Sequence, residues 1–119
     1  VLLLLLLLAL GILGLAISGV RATVRDARGK ERTAGALSRA ALEQWEFHGR
    51  QGRFALWREL ESGGARLPPA MSVDTSTATP SHWYLRLHDS ASGLLCDRIG
   101  TIVDEPTERV APTCRPAPR

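Results

Sequence analysis

VLLLLLLLALGILGLAISGV, residues 1–20, is the stretch from which the rest of the chain is read. It is leucine-rich and contains no Lys, Arg, Asp, Glu or His. About 20 apolar residues are enough for a helix to cross the hydrocarbon of a bilayer, so residues 1–20 read as a transmembrane helix. Gly11, Gly14 and Gly19 interrupt the run. In water they weaken a helix; in lipid the backbone has no competing donor or acceptor and must bond to itself. Gly14, Ser18 and Ala22 fall four apart and form a small-residue ridge suited to close helix packing. Gly and Ser are also common in membrane helices generally, which is the plainer reading of the same residues.

Residues 21–48 keep a helical period and read as an amphipathic stalk continuing the first helix. Val20, Val24, Ala27, Ala34, Leu37, Ala41 and Trp45 recur at helical spacings and form one thin apolar stripe. Asp26 with Lys30, and Arg39 with Glu43, are opposite charges four apart, a spacing that supports a helix. One unbroken helix over Val1 to His48 is on the order of 70 Å long. A break at Gly29 or Gly35, giving two shorter helices, is the alternative.

Gly49 and Gly52 end the pattern, and residues 49–80 read as a loop-rich connection. Within it Phe54, Leu56, Trp57 and Leu60 fit a helical turn or a first strand, Ser62-Gly63-Gly64 is a break, and Pro68-Pro69 to Pro80 is polar and loop-like. Residues 81–119 read as a small β head. His82 to His88 alternates, with Trp83, Leu85 and Leu87 on one face and His82, Tyr84, Arg86 and His88 on the other. Asp89 to Gly93 is of hairpin size. Leu94 to Val103 reads as the return strand, with Leu95, Ile99, Ile102 and Val103 in the core and Gly100 marking a bulge or turn. Beyond Pro106 the Pro-rich chain reads as an extended, exposed tail. The fold class is therefore α+β, a long N-terminal helix packed on a small antiparallel sheet. Trp45, Trp57 and Trp83 read as the core between helix and sheet rather than as a binding face.

Composition narrows the function classes. The 119-residue chain has 15 basic and 12 acidic residues, a net charge of +3. The two signs are interspersed without blocks, so no nucleic-acid partner is expected. The chain reads as a non-enzyme: no catalytic constellation, no metal-ligand spacing among His48, His82 and His88, and no phosphate-binding glycine loop, hence no cofactor. Cys96 and Cys114 read as a disulfide if the head lies in an oxidising compartment. Such a link constrains the unfolded chain by about 3 kcal/mol, much of the stability open to a small head. Two unpaired thiols in a reducing compartment are the other reading.

The layout of an apolar helix running into an amphipathic one, a hairpin head and two late cysteines resembles type IV pilins and the pseudopilins of type II secretion. Ala9-Leu10-Gly11-Ile12-Leu13-Gly14-Leu15 is the local match, similar to that family's membrane segment. The resemblance implies that Val1 is the first residue after leader-peptide cleavage and that Cys96–Cys114 is the C-terminal disulfide loop. It implies inner-membrane lipid, other pilin or pseudopilin subunits and their assembly machinery as partners. It also implies a bacterial inner-membrane location with a periplasmic head, and a structural role in a filament. The family carries Glu where this chain has Leu5. A charge in lipid is costly and kept for a purpose, so its absence points to a tip or minor subunit. The competing reading is a single-span or signal-peptide-bearing periplasmic interaction domain. Val20-Arg21-Ala22 then serves as a weak cleavage site. Arg21, Arg25, Arg28, Lys30 and Arg32 favour the cytoplasmic side under the positive-inside rule, against the pilin orientation.

Overall fold

In the computed structural model, the described residues are 1–105 and 110–118, with the side chains of 15–22 excepted. One helix, α1 (Leu2–Gln51), runs for 50 residues without a break. It is followed by α2 (Trp57–Ser62) and strands β1 (Met71–Ala78), β2 (His82–Asp89), β3 (Leu94–Thr101) and β4 (Thr113–Pro116). The strands form one antiparallel sheet in the order β1-β2-β3-β4. The molecule is α+β and 75 Å long by 24 × 21 Å across, because the sheet covers only the C-terminal half of a rod of this length. Among the described residues, no helix is long and apolar enough to cross a membrane. The sequence reading of residues 1–20 as a transmembrane helix extends into side chains outside that set, as does the packing role of Ser18 and Ala22.

Glycine ends α1 but does not divide it. Gly52 takes a left-handed conformation (φ 71°), and its N–H returns to the His48 carbonyl at 2.8 Å, the αL cap that glycine adopts without a Cβ penalty. Gly35 lies in an ordinary helical turn with open space around it. Gly29 lets the helix come close to the head: a Cβ there would overlap the Ser92 side chain in the β2–β3 turn. The alternative of a break at either glycine is thereby corrected.

The helix face against the sheet is rotated from the stripe read in the sequence. Its buried residues are Gly29, Thr33, Ala36, Leu37, Ala40, Ala41 and Gln44, whereas Val24, Ala27 and Trp45 are exposed. Two polar residues account for the rotation. The Thr33 hydroxyl donates to the Gly29 carbonyl at 2.7 Å. The Gln44 amide donates to the Ala55 carbonyl at 2.6 Å and accepts from the Ala55 N–H at 2.8 Å. A buried amide satisfied on both sides costs little to bury, so Gln44 occupies a core position that a hydropathy pattern assigns to solvent. Trp57 and Trp83 are core residues, while Trp45 is 48% exposed and borders the core beside Ala41, Phe54 and Trp83.

The head is built on the inward row of β2, Trp83, Leu85, Leu87 and Asp89, all buried. β3 presents Leu94, Cys96, Arg98 and Gly100 on the same side; Leu95, expected in the core, is buried too, but in the opposite row. Ile99 is on the uncovered outer face at 61% exposure. β3 stops at Thr101, and Ile102 and Val103 project from the turn that follows, 50% and 85% exposed. Gly100 is not a bulge. It pairs in register with Trp83, and any Cβ there would overlap the Trp83 indole. The bulge falls in β1, between Val73 and Thr75. β1 lies inside the segment read as loop-like, because Ser and Thr alternate there with Val and Met on an edge strand. The segment read as an exposed tail contains β4.

Trp57 and Leu60 lie on α2 and Phe54 just before it, all three packed into the core. Glu59 reaches back to the Leu56 N–H at 3.1 Å and pairs with Arg53 at 2.6 Å. The Arg53 guanidinium, then the Leu56 N–H, lower its pKa from 4.5 to about 2. A carboxylate lowered in the folded state contributes stability above its unfolded pKa and loses it as pH falls through the folded one. Glu59 therefore supports the fold at neutral pH and ceases to do so as pH falls from 4.5 towards about 2. In acid titration followed by circular dichroism, E59Q is expected to flatten the pH dependence in this window.

Gly→Ala inside a helix ordinarily stabilises by up to about 1 kcal/mol. G35A is expected to do so. G29A is expected to reverse the sign and cost about 1–3 kcal/mol through overpacking, as read by urea melts of the two variants.

Candidate interaction surface

The described residues contain no group of three or more His, Cys, Asp or Glu placed to hold a metal ion. His48 bonds the Pro80 carbonyl at 3.2 Å and rests on the Phe54 ring. His82 bonds the Thr79 hydroxyl at 2.9 Å. His88 lies in the outer row of β2. The three histidines are thus dispersed. The surfaces with chemical character are the apolar rod and the flank of α1 that the head leaves open.

The rod is the N-terminal part of α1. Leu2 to Leu8, Leu10, Ile12 and Leu13 are 56–77% exposed, so they are largely uncovered by the described residues. Gly14 has open space where a Cβ would stand. Isolated exposed apolar residues are ordinary, but a continuous apolar helix surface marks contact with a protein or a membrane.

The open flank begins where the head's contact ends. Ala34, Gly35, Ser38 and Leu42 of α1 face Val110, Ala111, Pro112 and Cys114 across a groove of about 1080 Å³. Leu42 and Val110 are 43% and 45% exposed. Of the stripe read in the sequence, Ala34 lines this groove, while Leu37 and Ala41 are buried in the core.

Two links determine how the head sits on α1, and hence which flank stays open. The first is the disulfide Cys96–Cys114, present as expected, between directly paired residues of β3 and β4. Cys96 is fully buried and Cys114 lines the groove. β4 pairs over only four residues, so the covalent link bears much of the burden of holding the groove's outer wall.

The second link is Asp89. Its side chain is 1% exposed and accepts from Arg32 Nη2 at 2.8 Å, Ser92 Oγ at 2.7 Å and the Ala91 N–H at 3.3 Å. Burial alone would raise its pKa. The bonds from Arg32, Ser92 and Ala91 outweigh burial and hold it below its ordinary 3.8. The hairpin turn is thus tied to α1 one turn from Gly29. Asp89, Gln44 and Thr33 carry structural roles that the sequence reading did not assign. The four-residue spacing of Gly29, Thr33, Leu37 and Ala41, all small or apolar apart from the threonine hydroxyl, was the available signal.

No family model, curated protein or solved structure matches this chain.

Removing both cysteines (C96A/C114A) is expected to cost about 3 kcal/mol, measured by denaturant unfolding against the oxidised protein. D89N is expected to cost about 2 kcal/mol at neutral pH, the scale of a hydrogen bond to a charged group. The sign with pH follows from the lowered pKa. The Asp89 contribution is complete above 3.8 and is lost as pH falls through the folded value, so wild type and D89N should converge in strong acid.

Proposed function

We propose that this chain is a structural subunit of a filament resembling type IV pili or type II secretion pseudopili, in the manner of a minor or tip subunit. The observation that carries the reading is the unbroken 50-residue helix with an uncovered apolar N-terminal part and a small disulfide-linked head on its other half. The uncharged run of residues 1–20 serves as a root in the bacterial inner membrane, with the head in the periplasm. On assembly the apolar helix exchanges lipid for neighbouring helices. That exchange is near neutral in hydrophobic energy, so packing of small residues and polar pairs decides it. Leu5, where the family has Glu, supports a subunit that needs no partner for that charge. No catalysis, metal or cofactor enters the reading, and its partners are lipid, other subunits and the assembly machinery.

The alternative is a single-span anchor or an exported domain with its signal peptide attached. Both readings are tested on protein extracted from membranes of the native host, by N-terminal sequencing with mass measurement. An N-methylated terminus at Val1 is the expected result. A terminus at Thr23 removes the filament reading in favour of an exported domain, and an unprocessed terminus upstream of Val1 favours a plain anchor.

A further inference from the structure

Arg98 lies on the inward side of β3 and is 6% exposed. Among the described residues, its Nη1 and the Thr101 hydroxyl are buried with no hydrogen-bond partner. A buried guanidinium lacking an acceptor is strongly unfavourable, far more so than one at the surface. Both groups line one small cleft, about 10 Å³, walled by Ala41, Trp45, Phe54 and Trp83. That space is about the size of one water molecule, so only a group already at its rim can reach both atoms. The remaining lining residues include Asp104 and Glu105, the two carboxylates of the turn that leaves β3.

These two carboxylates are not equivalent. Asp104 is already engaged: its Oδ2 accepts from the Thr101 N–H at 2.8 Å, and its own N–H returns to the Thr101 carbonyl at 3.2 Å. Glu105 is exposed and makes no ion pair with a described residue. The turn between them and β3 carries Ile102 and Val103 into solvent, and the half-exposed Trp45 borders the same cleft as Asp104 and Glu105.

We propose that residues 102–105 form a strap with two seats. In the open seat Asp104 caps Thr101 and the cleft is uncovered. In the closed seat the Glu105 carboxylate accepts from Arg98 Nη1 and from the Thr101 hydroxyl, and the strap lies over the Trp45 indole. Closure gives both orphaned buried groups an acceptor in one movement and uses a carboxylate that already borders the cleft. The strap thereby controls whether Trp45, an aromatic side chain well suited to a protein contact, is available at the surface.

The test is fluorine NMR of the full chain labelled with 5-fluorotryptophan, which resolves Trp45, Trp57 and Trp83 separately. Solvent exposure of Trp45 is read from its H₂O/D₂O isotope shift. E105Q, an exposed substitution with little bearing on folding, is expected to increase the isotope shift of Trp45 and leave that of Trp57 in place. D104N keeps an acceptor for Thr101 and is expected to leave Trp45 unchanged. In an R98M background, E105Q is expected to have no further effect. Should R98M not fold, the contrast between E105Q and D104N decides. Any other pattern overturns the strap: no response to E105Q, an equal response to D104N, or an E105Q response that persists without Arg98.

Discussion

The close approach of α1 to the β2–β3 turn is the constraint on which the rest of the structure depends. It is possible only because Gly29 has no side chain to meet Ser92, and it is held by Asp89 accepting from both Arg32 and Ser92. Once the hairpin is placed there, Leu37 and Ala40 join Trp83, Leu85 and Leu87 in one buried core, and Gln44 meets Ala55 further along. Small residues on α1 allow the sheet to pack close, and the head needs few large side chains to complete its core. The Gln44 bracket ties α1 to Ala55, and the disulfide ties β4 to β3 within the sheet.

This docking also decides what is left open. A helix offers its whole circumference, but a single four-stranded sheet covers only one side of it. The flank with Ala34, Ser38, Leu42 and Trp45 is uncovered, and so is the N-terminal apolar rod. The sheet's own edges are less available. β4 is four residues long with Pro112 before it and Pro116 at its end. β1 carries a bulge, and its Ser76 and the adjoining Thr79 take hydrogen bonds from Trp57 and Phe54. Short, bulged or proline-bounded edges discourage strand addition. Helix surfaces rather than sheet edges are therefore where a partner has most to bind, in keeping with the proposed filament role.

The outer face of the sheet is a polar layer. Tyr84 donates to Asp97 at 2.9 Å, and Arg86 bonds Asp74 and Thr75. Leu95, buried, and Ile99, exposed, are the apolar residues that β3 places on this side. The bulge before Thr75 brings Asp74 and Thr75 within reach of the same Arg86 side chain. This network orders the solvent side of the sheet, while Arg98 and Thr101 at the cleft on the inner side each keep a buried polar atom without a partner among the described residues, as does Glu43 on α1.

What the sequence determined by itself is local. An uninterrupted helical pattern from the leucine run to His48, its end at Gly52, the alternating strand at Trp83 to Leu87 and the Asp89–Gly93 turn are legible because propensity and period act over neighbouring residues. The pairing of Cys96 with Cys114 was also within reach, since two cysteines allow one link. What only the tertiary structure decided is which faces meet. The inward row of β3 is Leu94, Cys96, Arg98 and Gly100, less apolar than the outward pair Leu95 and Ile99, because Trp83 needs the space over Gly100. The inward face of α1 includes Thr33 and Gln44, because each finds a backbone partner there. β1 and β4 form through pairing with β2 and β3, not through their own polar or proline-rich composition. Hydropathy records the average cost of burying a residue, whereas these positions are set by hydrogen bonds and close contacts that exist only once distant parts of the chain are brought together.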